Sequence, residues 1–278
     1  MSDSLVALLT VLGDDELVIG HRHSEWTGYA PHLEEDIAFS SIAQDEIGHA
    51  TAYYSLLGKV TGDEPDALAL GRSQDAYRNA IICERPNRNW AYTLARHWLY
   101  DTADDIRLAA LEGSSHDDLA ALVTKIRREE RYHLIHANSW MRRVAKGPVE
   151  GRTRLMDAIG VAFPEAVALF EPIEQEDAAV KEGWLPTPSD EMRRRFLDGT
   201  EVALDELGLP TEIHAHAAER AEFVASSSGD LIDAPGERKT DSPPSDGGGG
   251  RRGRHTADFE SLWNDMTTQY RAHPGASW

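Results

Sequence analysis

Apolar residues recur every three or four positions through four long stretches of the first 145 residues. That period is the mark of an amphipathic helix with one buried stripe. In residues 4–24 the stripe runs Leu5, Leu9, Leu12, Glu16, Ile19 and His23. In 33–60 it runs Phe39, Ile42, Glu46, His49, Tyr53 and Leu56. Residues 88–112 give Leu94, His97, Asp101, Asp105, Leu108 and Leu111. Residues 117–145 give Leu119, Leu122, Ile126, Glu130, His133, Ala137 and Trp140. Each stripe is interrupted near its middle by acids and imidazoles, the residues least expected in an apolar face.

The breaks between helices are explicit. Pro31 follows WTGYA, GSSHDD supplies a cap before the fourth helix, and KGPVEG ends it. The stretch TGDEPDALALGRSQDAYRNAIICERPN, with Pro65 and Pro86, is too long for a turn and fits the long crossover of a ferritin-like bundle. Further helices are predicted over 152–173, where Pro164 is expected to kink or divide the segment, over 188–206 from the cap signal PSDE, and over 211–225. Residues 226–254 are rich in Ser, Gly, Pro and Asp and read as a flexible linker. Residues 255–278 regain helical spacing at Phe259, Leu262, Trp263, Met266 and Tyr270, a tail expected to dock on the core or on a partner. The predicted class is all-α: a ferritin-like four-helix bundle in a domain over 1–225, with a long crossover and extra C-terminal helices.

Composition narrows the function. The 278 residues carry 28 basic and 48 acidic side chains, a formal charge of −20. Nucleic acid and anionic membrane surfaces both require a basic face, so neither is expected as a partner. No apolar run reaches the length of a membrane span, and the N-terminus lacks the basic flank of a signal peptide, so a cytoplasmic protein is expected. Only five of the basic residues are lysine. High acidity with few lysines is a pattern of proteins from salt-rich cytoplasm, where salt screens the self-repulsion; an ordinary acidic protein is the other reading. The single cysteine, Cys83, excludes an internal disulfide or a cysteine metal cluster and is expected to be structural.

The polar interruptions form a pattern. Gln44-Asp45-Glu46-Ile47-Gly48-His49 and Arg128-Glu129-Glu130-Arg131-Tyr132-His133 each contain Glu-x-x-His, which places both side chains on one helix face. An acid on the preceding helix precedes each motif at matching distance: Glu16 lies 30 residues before Glu46, and Asp101 lies 29 before Glu130. Asp104 and Asp105 are rivals for the Asp101 role. Four carboxylates and two histidines from four helices are the ligand set of ferritin-like di-iron and di-manganese proteins. Two cations side by side need anionic oxygens to offset their charge, and imidazole with carboxylate suits iron or manganese. Without metal, four buried acids repel one another. His23 and His97 are either partners that orient a ligand or ordinary core histidines; Trp26, Trp90, Trp98 and Trp140 read as core packing.

The stretches LGDDELVIGHRHSEWTGYAPHLEEDIAFSSIAQDEIGHA, ERPNRNWAYTLARHWLYD, REERYHLIHANSWMRR and the C-terminal GRRGRHTADFESLWNDMTTQYRAHPGASW resemble the C-type component family of bacterial multicomponent phenylacetyl-CoA epoxidases. The resemblance implies a subunit that pairs with a catalytic A-type subunit bearing di-iron. It also implies a small B-type subunit, a reductase delivering electrons from NADPH, and a dioxygen-dependent 1,2-epoxidation of the ring of phenylacetyl-CoA. Many C-type components lack several of the metal ligands of the A-type. Here Glu16, Glu46, His49, Asp101, Glu130 and His133 each match such a position, so this chain is itself a candidate for a di-iron site. A non-catalytic scaffold with a relic site and a stand-alone ferritin-like di-metal oxidase are the other readings.

Overall fold

The computed structural model describes residues 2–210 and 248–273. Four long helices carry the fold: α1 (Asp3–Ser24), α2 (Leu33–Thr61), α5 (Trp90–Leu111) and α6 (Asp117–Ala145). Between the pairs lie the short helices α3 (Pro65–Leu70) and α4 (Ile81–Glu84). Beyond them come α7 (Val149–Val167), α8 (Glu176–Glu182), α9 (Ser189–Glu206) and α10 (Ala257–Ala272). The fold is an all-α ferritin-like bundle: α1 lies along α2, α5 along α6, and the segment 62–89 is the long crossover between the two hairpins.

Local chemistry sets the ends. Gly62 closes α2 in the left-handed region (φ 89°), its N–H donating to the Gly58 carbonyl at 2.8 Å. Pro65 opens α3 at a position where its missing N–H costs nothing. Asn89 caps α5 by accepting from the Tyr92 N–H, and His116, inside GSSHDD, caps α6 by accepting from Leu119 N–H. The cap of α9 differs from the sequence expectation. Ser189 is the first helical residue, and Glu176 from α8 accepts its N–H and hydroxyl. The helix α8 itself was not expected from the sequence.

Pro164 does not divide its helix. Helix α7 runs through it to Val167 and ends in a 3-10 turn at Ala168–Phe170. The bond forfeited is the one to the carbonyl of Gly160, which faces solvent and can be served by water.

The core is continuous from α1 to α10 and includes Leu9, Val18, Tyr53, Trp98, Ile126, Phe163, Phe196 and Phe259. Asp105 points outward and pairs with Arg127 at 2.9 Å, while its neighbour Asp104 is buried against Arg107. Helix α1 is buried around its whole circumference at mid-length, and so carries Asp14 and Asp15 inside beside Glu16. Asp15 accepts from Arg107 at 2.5 Å, from both Arg251 Nη atoms at 2.7 and 2.8 Å, and from the Ala80 N–H. Burial alone would raise its carboxyl; Arg251 and Arg107 outweigh that and hold it below the ordinary carboxylate range.

Arg251 comes from the stretch that reads as linker. Of that stretch, residues 226–247 lie outside the described residues, as does the predicted helix 211–225. Gly248–Arg251 are buried against the crossover. A Cβ on Gly250 would overlap the Asn79 carbonyl oxygen, and one on Gly253 (φ +69°) the Asp75 carbonyl oxygen. These glycines serve close approach here, not freedom. From there α10 lies on the crossover, with Phe259 edge-on to Tyr77 at 5.4 Å and Trp263 Nε1 donating to the Arg72 carbonyl. No helix among the described residues is long and apolar enough to cross a membrane.

Candidate metal centre

The bundle brings the two Glu-x-x-His motifs face to face. Helix α2 supplies Glu46 and His49, α6 supplies Glu130 and His133, α1 supplies Glu16 and α5 supplies Asp101; all six are buried. One ligand-type atom from each of Glu16, Glu46, His49 and Glu130 lies within 4.8 Å of the others. Glu130 stands between the histidines: Oε1 is 3.1 Å from His49 Nδ1, and Oε2 is 3.1 Å from His133 Nδ1. Glu16 Oε2 is 3.4 Å from His49 Nδ1, and Glu46 Oε1 is 3.7 Å from His133 Nδ1. Asp101 and His133 lie outside the tightest set, and Asp101 Oδ2 is 3.1 Å from His97 Nδ1.

Gly20 is the reason α1 and α2 approach so closely at Glu46. A Cβ there would sit 2.9 Å from both Glu46 Cβ and Ile47 Cγ1, closer than side chains tolerate. Sequence reasoning passed over this glycine. It also passed over Asp45 and Glu129, the acids that precede each ligand-type glutamate. They act crosswise: Glu129 Oε2 lies 3.0 Å from His49 Nε2, and Asp45 Oδ2 lies 3.2 Å from His133 Nε2. Each outer ring nitrogen donates to a carboxylate of the opposite helix, which leaves Nδ1 aimed inward. The repeated acid-Glu-x-x-His spelling was the available signal.

The electrostatics are those of acids crowded without enough cations. Burial, with the charges of Glu130 and Glu16, pushes the Glu46 carboxyl well above its ordinary range; burial and Glu130 do the same to Asp101. Burial would lower the histidines, yet the Glu130 and Glu16 carboxylates at ion-pair range push His49 up to about 11. Glu130 and Asp45 likewise push His133 up to about 10. Protons here occupy the place of positive charge. Four groups thus hold protons more tightly folded than unfolded. Their histidine contribution is complete below about pH 6.5 and is lost as pH rises through 10 to 11. The raised carboxyls act in the same direction, since the folded state keeps protons that the unfolded chain releases. The metal-free protein is therefore expected to melt at progressively lower temperature from pH 6.5 to 10; a melting temperature that climbs across this window contradicts the assignment.

These residues fit a pair of divalent cations. Both oxygens of Glu46 and of Asp101, Glu16 Oε2, Glu130 Oε1 and His49 Nδ1 are buried without a hydrogen bond, although several face a histidine at ion-pair range. Buried polar atoms left this way are costly unless something completes them. Four carboxylates would balance the charge of two divalent ions, and the two imidazoles would add neutral donors.

Comparison with known proteins agrees with the fold and motifs. Residues 1–228 match the family described as Phenylacetic acid catabolic protein. The chain is 28% identical over 277 residues to the C component of the 1,2-phenylacetyl-CoA epoxidase of Escherichia coli (strain K12), covering 99% of this chain and 100% of that one. It is also 28% identical over 205 residues to the A component of the same epoxidase from that organism, covering 68% of this chain and 65% of that one. The helical bundle, its two Glu-x-x-His motifs and a match over most of the chain lead to one assignment: the chain belongs to the Phenylacetic acid catabolic protein family.

Proposed function

We propose that the chain is a C-type subunit of a phenylacetyl-CoA epoxidase complex in aerobic phenylacetate breakdown, and that it holds a pair of iron ions itself. The observation that carries the metal reading is Glu130, whose two oxygens face the inward nitrogens of His49 and His133. Glu16, Glu46, His49, Asp101, Glu130 and His133 would hold the ions, with Glu16 and His49 in one half of the cluster and Asp101 and His133 in the other. Iron, when bound, supplies dioxygen activation for oxygen transfer to an aromatic ring. The chain's own residues do the rest. Asp45 and Glu129 fix the imidazoles, Gly20 sets the spacing of α1 and α2, and the buried core keeps water out.

The similarity to the C component over nearly its full length supports an A-type partner, itself similar to this chain. A small B-type subunit, a reductase passing electrons from NADPH, and a cytoplasmic location complete the proposal. With a formal charge of −20, the chain is a poor host for the phosphates of coenzyme A, so an A-type partner would meet them.

Reconstitution tests this reading. Epoxidation of phenylacetyl-CoA by A-type, B-type and reductase subunits is expected to require this chain; turnover that is unchanged without it overturns the assignment. The ion pairs already present in the cluster favour a second reading, a scaffold whose acids and histidines satisfy one another. Under that reading Glu46→Ala leaves turnover intact. The metal reading also predicts that Glu129→Ala weakens iron binding by about tenfold to a hundredfold, because His49 loses its outer anchor. Equilibrium dialysis with ferrous ion reads this directly, and unaltered affinity counts against Glu129 as the anchor.

A further inference from the structure

Two fully buried phenols flank the carboxylate cluster, and they are bonded differently. Tyr100 on α5 donates its hydroxyl hydrogen to Glu16 Oε1 at 3.2 Å. Tyr53 on α2 is equally buried, yet its hydroxyl makes no hydrogen bond. With Oε1 occupied, Glu16 presents only Oε2 to the cluster, 3.4 Å from His49 Nδ1.

The other half of the cluster is not set in this way. Asp101, the counterpart of Glu16, has no hydrogen bond on either oxygen, and its Oδ2 faces His97 Nδ1 at 3.1 Å. The compact set of ligand-type atoms contains Glu16 and His49 and omits Asp101 and His133. One half is therefore assembled before any ion arrives, whereas the other must draw Asp101 away from His97. Donors already in place cost less to organise on binding.

We propose that Tyr100 is a positioning residue that fixes Glu16 through a single oxygen, and that the Glu16–His49 half of the centre fills with metal before the Asp101–His133 half. The proposal rests on the metal reading above and concerns only this chain's residues.

Anaerobic titration of the full-length chain with manganous ion, followed by the loss of the free-ion electron paramagnetic resonance signal, tests it. The wild type is expected to bind in two steps, the first at least about tenfold tighter than the second. Asp101→Asn is expected to lose the second step and keep the first. Tyr100→Phe is expected to weaken the first step by about tenfold to a hundredfold, the worth of a hydrogen bond to a charged group, and to spare the second. Tyr53→Phe, which removes an equally buried hydroxyl with no bond to a ligand-type group, is expected to leave both steps within about twofold. That control separates positioning from loss of a buried phenol.

A Tyr100→Phe chain that binds its first ion as tightly as the wild type overturns the proposal, as does equal weakening by Tyr53→Phe. Loss of the first step in Asp101→Asn overturns the order of filling, and this variant reads that order even if Tyr100→Phe does not fold. A wild type that takes up neither manganese nor ferrous iron overturns the metal reading itself and this proposal with it.

Discussion

Replacing Glu46 with alanine is expected to abolish iron binding while leaving the four long helices intact. Glu46 is fully buried, and neither of its oxygens has a hydrogen bond. It faces His133 at 3.7 Å and His23 at 4.0 Å, and the charges of Glu130 and Glu16 bear on it from either side. Glu46 would be one of the four carboxylates that offset the charge of two ions, and this substitution removes it from the tightest set of ligand-type atoms. The fold loses little. Removing one of several crowded acids relieves like-charge repulsion, and the cavity left is lined by polar groups that water can serve. Iron content by mass spectrometry and far-UV circular dichroism on the same sample check both halves of the expectation. Unchanged iron in this variant would sink the ligand assignment; lost helix would show Glu46 to be a structural residue.

The second large effect is on stability. Asp15→Ala is expected to destabilise the chain by about 3–5 kcal/mol, the cost of leaving buried charge without its partner. Among the described residues, Asp15 is the one carboxylate that both Arg107 and Arg251 share, and both arginines are buried. Arg107 keeps Asp104, but among the described residues Arg251 is left with the carbonyls of Arg78 and Leu169. The loss should propagate to the C-terminal segment, because Arg251 ties that segment to helix α1 through Asp15. Arg251→Ala should cost less, since Arg107 continues to neutralise Asp15. Chemical denaturation with both variants checks the order; equal midpoints for wild type and Asp15→Ala would contradict the network as drawn.

The four long helices and the six buried acids and histidines at their centre were legible because each of those residues interrupts an apolar stripe, where a glutamate or histidine stands out. Asp14 and Asp15 were not legible for the converse reason. Helix α1 is buried on every side at mid-length, and a one-face test discards the polar residues of its other faces. Asp105 sat on the predicted stripe and yet turned outward to Arg127, because Asp104 took the inward place beside Arg107. The final glycines of the apparent linker read as flexible by composition. Their packing is set by the carbonyls of Asn79 and Asp75, residues far away in sequence that no local pattern can report. Asp45 and Glu129 were visible as letters, but their crosswise roles depend on α2 and α6 running antiparallel past one another, which only the fold supplies.

The ligand set is tested most directly by the iron content of the purified chain after anaerobic loading with ferrous ion and desalting. About two irons per chain is the result expected of four carboxylates and two histidines arranged as they are here. A chain that retains no iron would contradict the account, and would leave the cluster as a self-paired relic in a protein whose partner carries the chemistry.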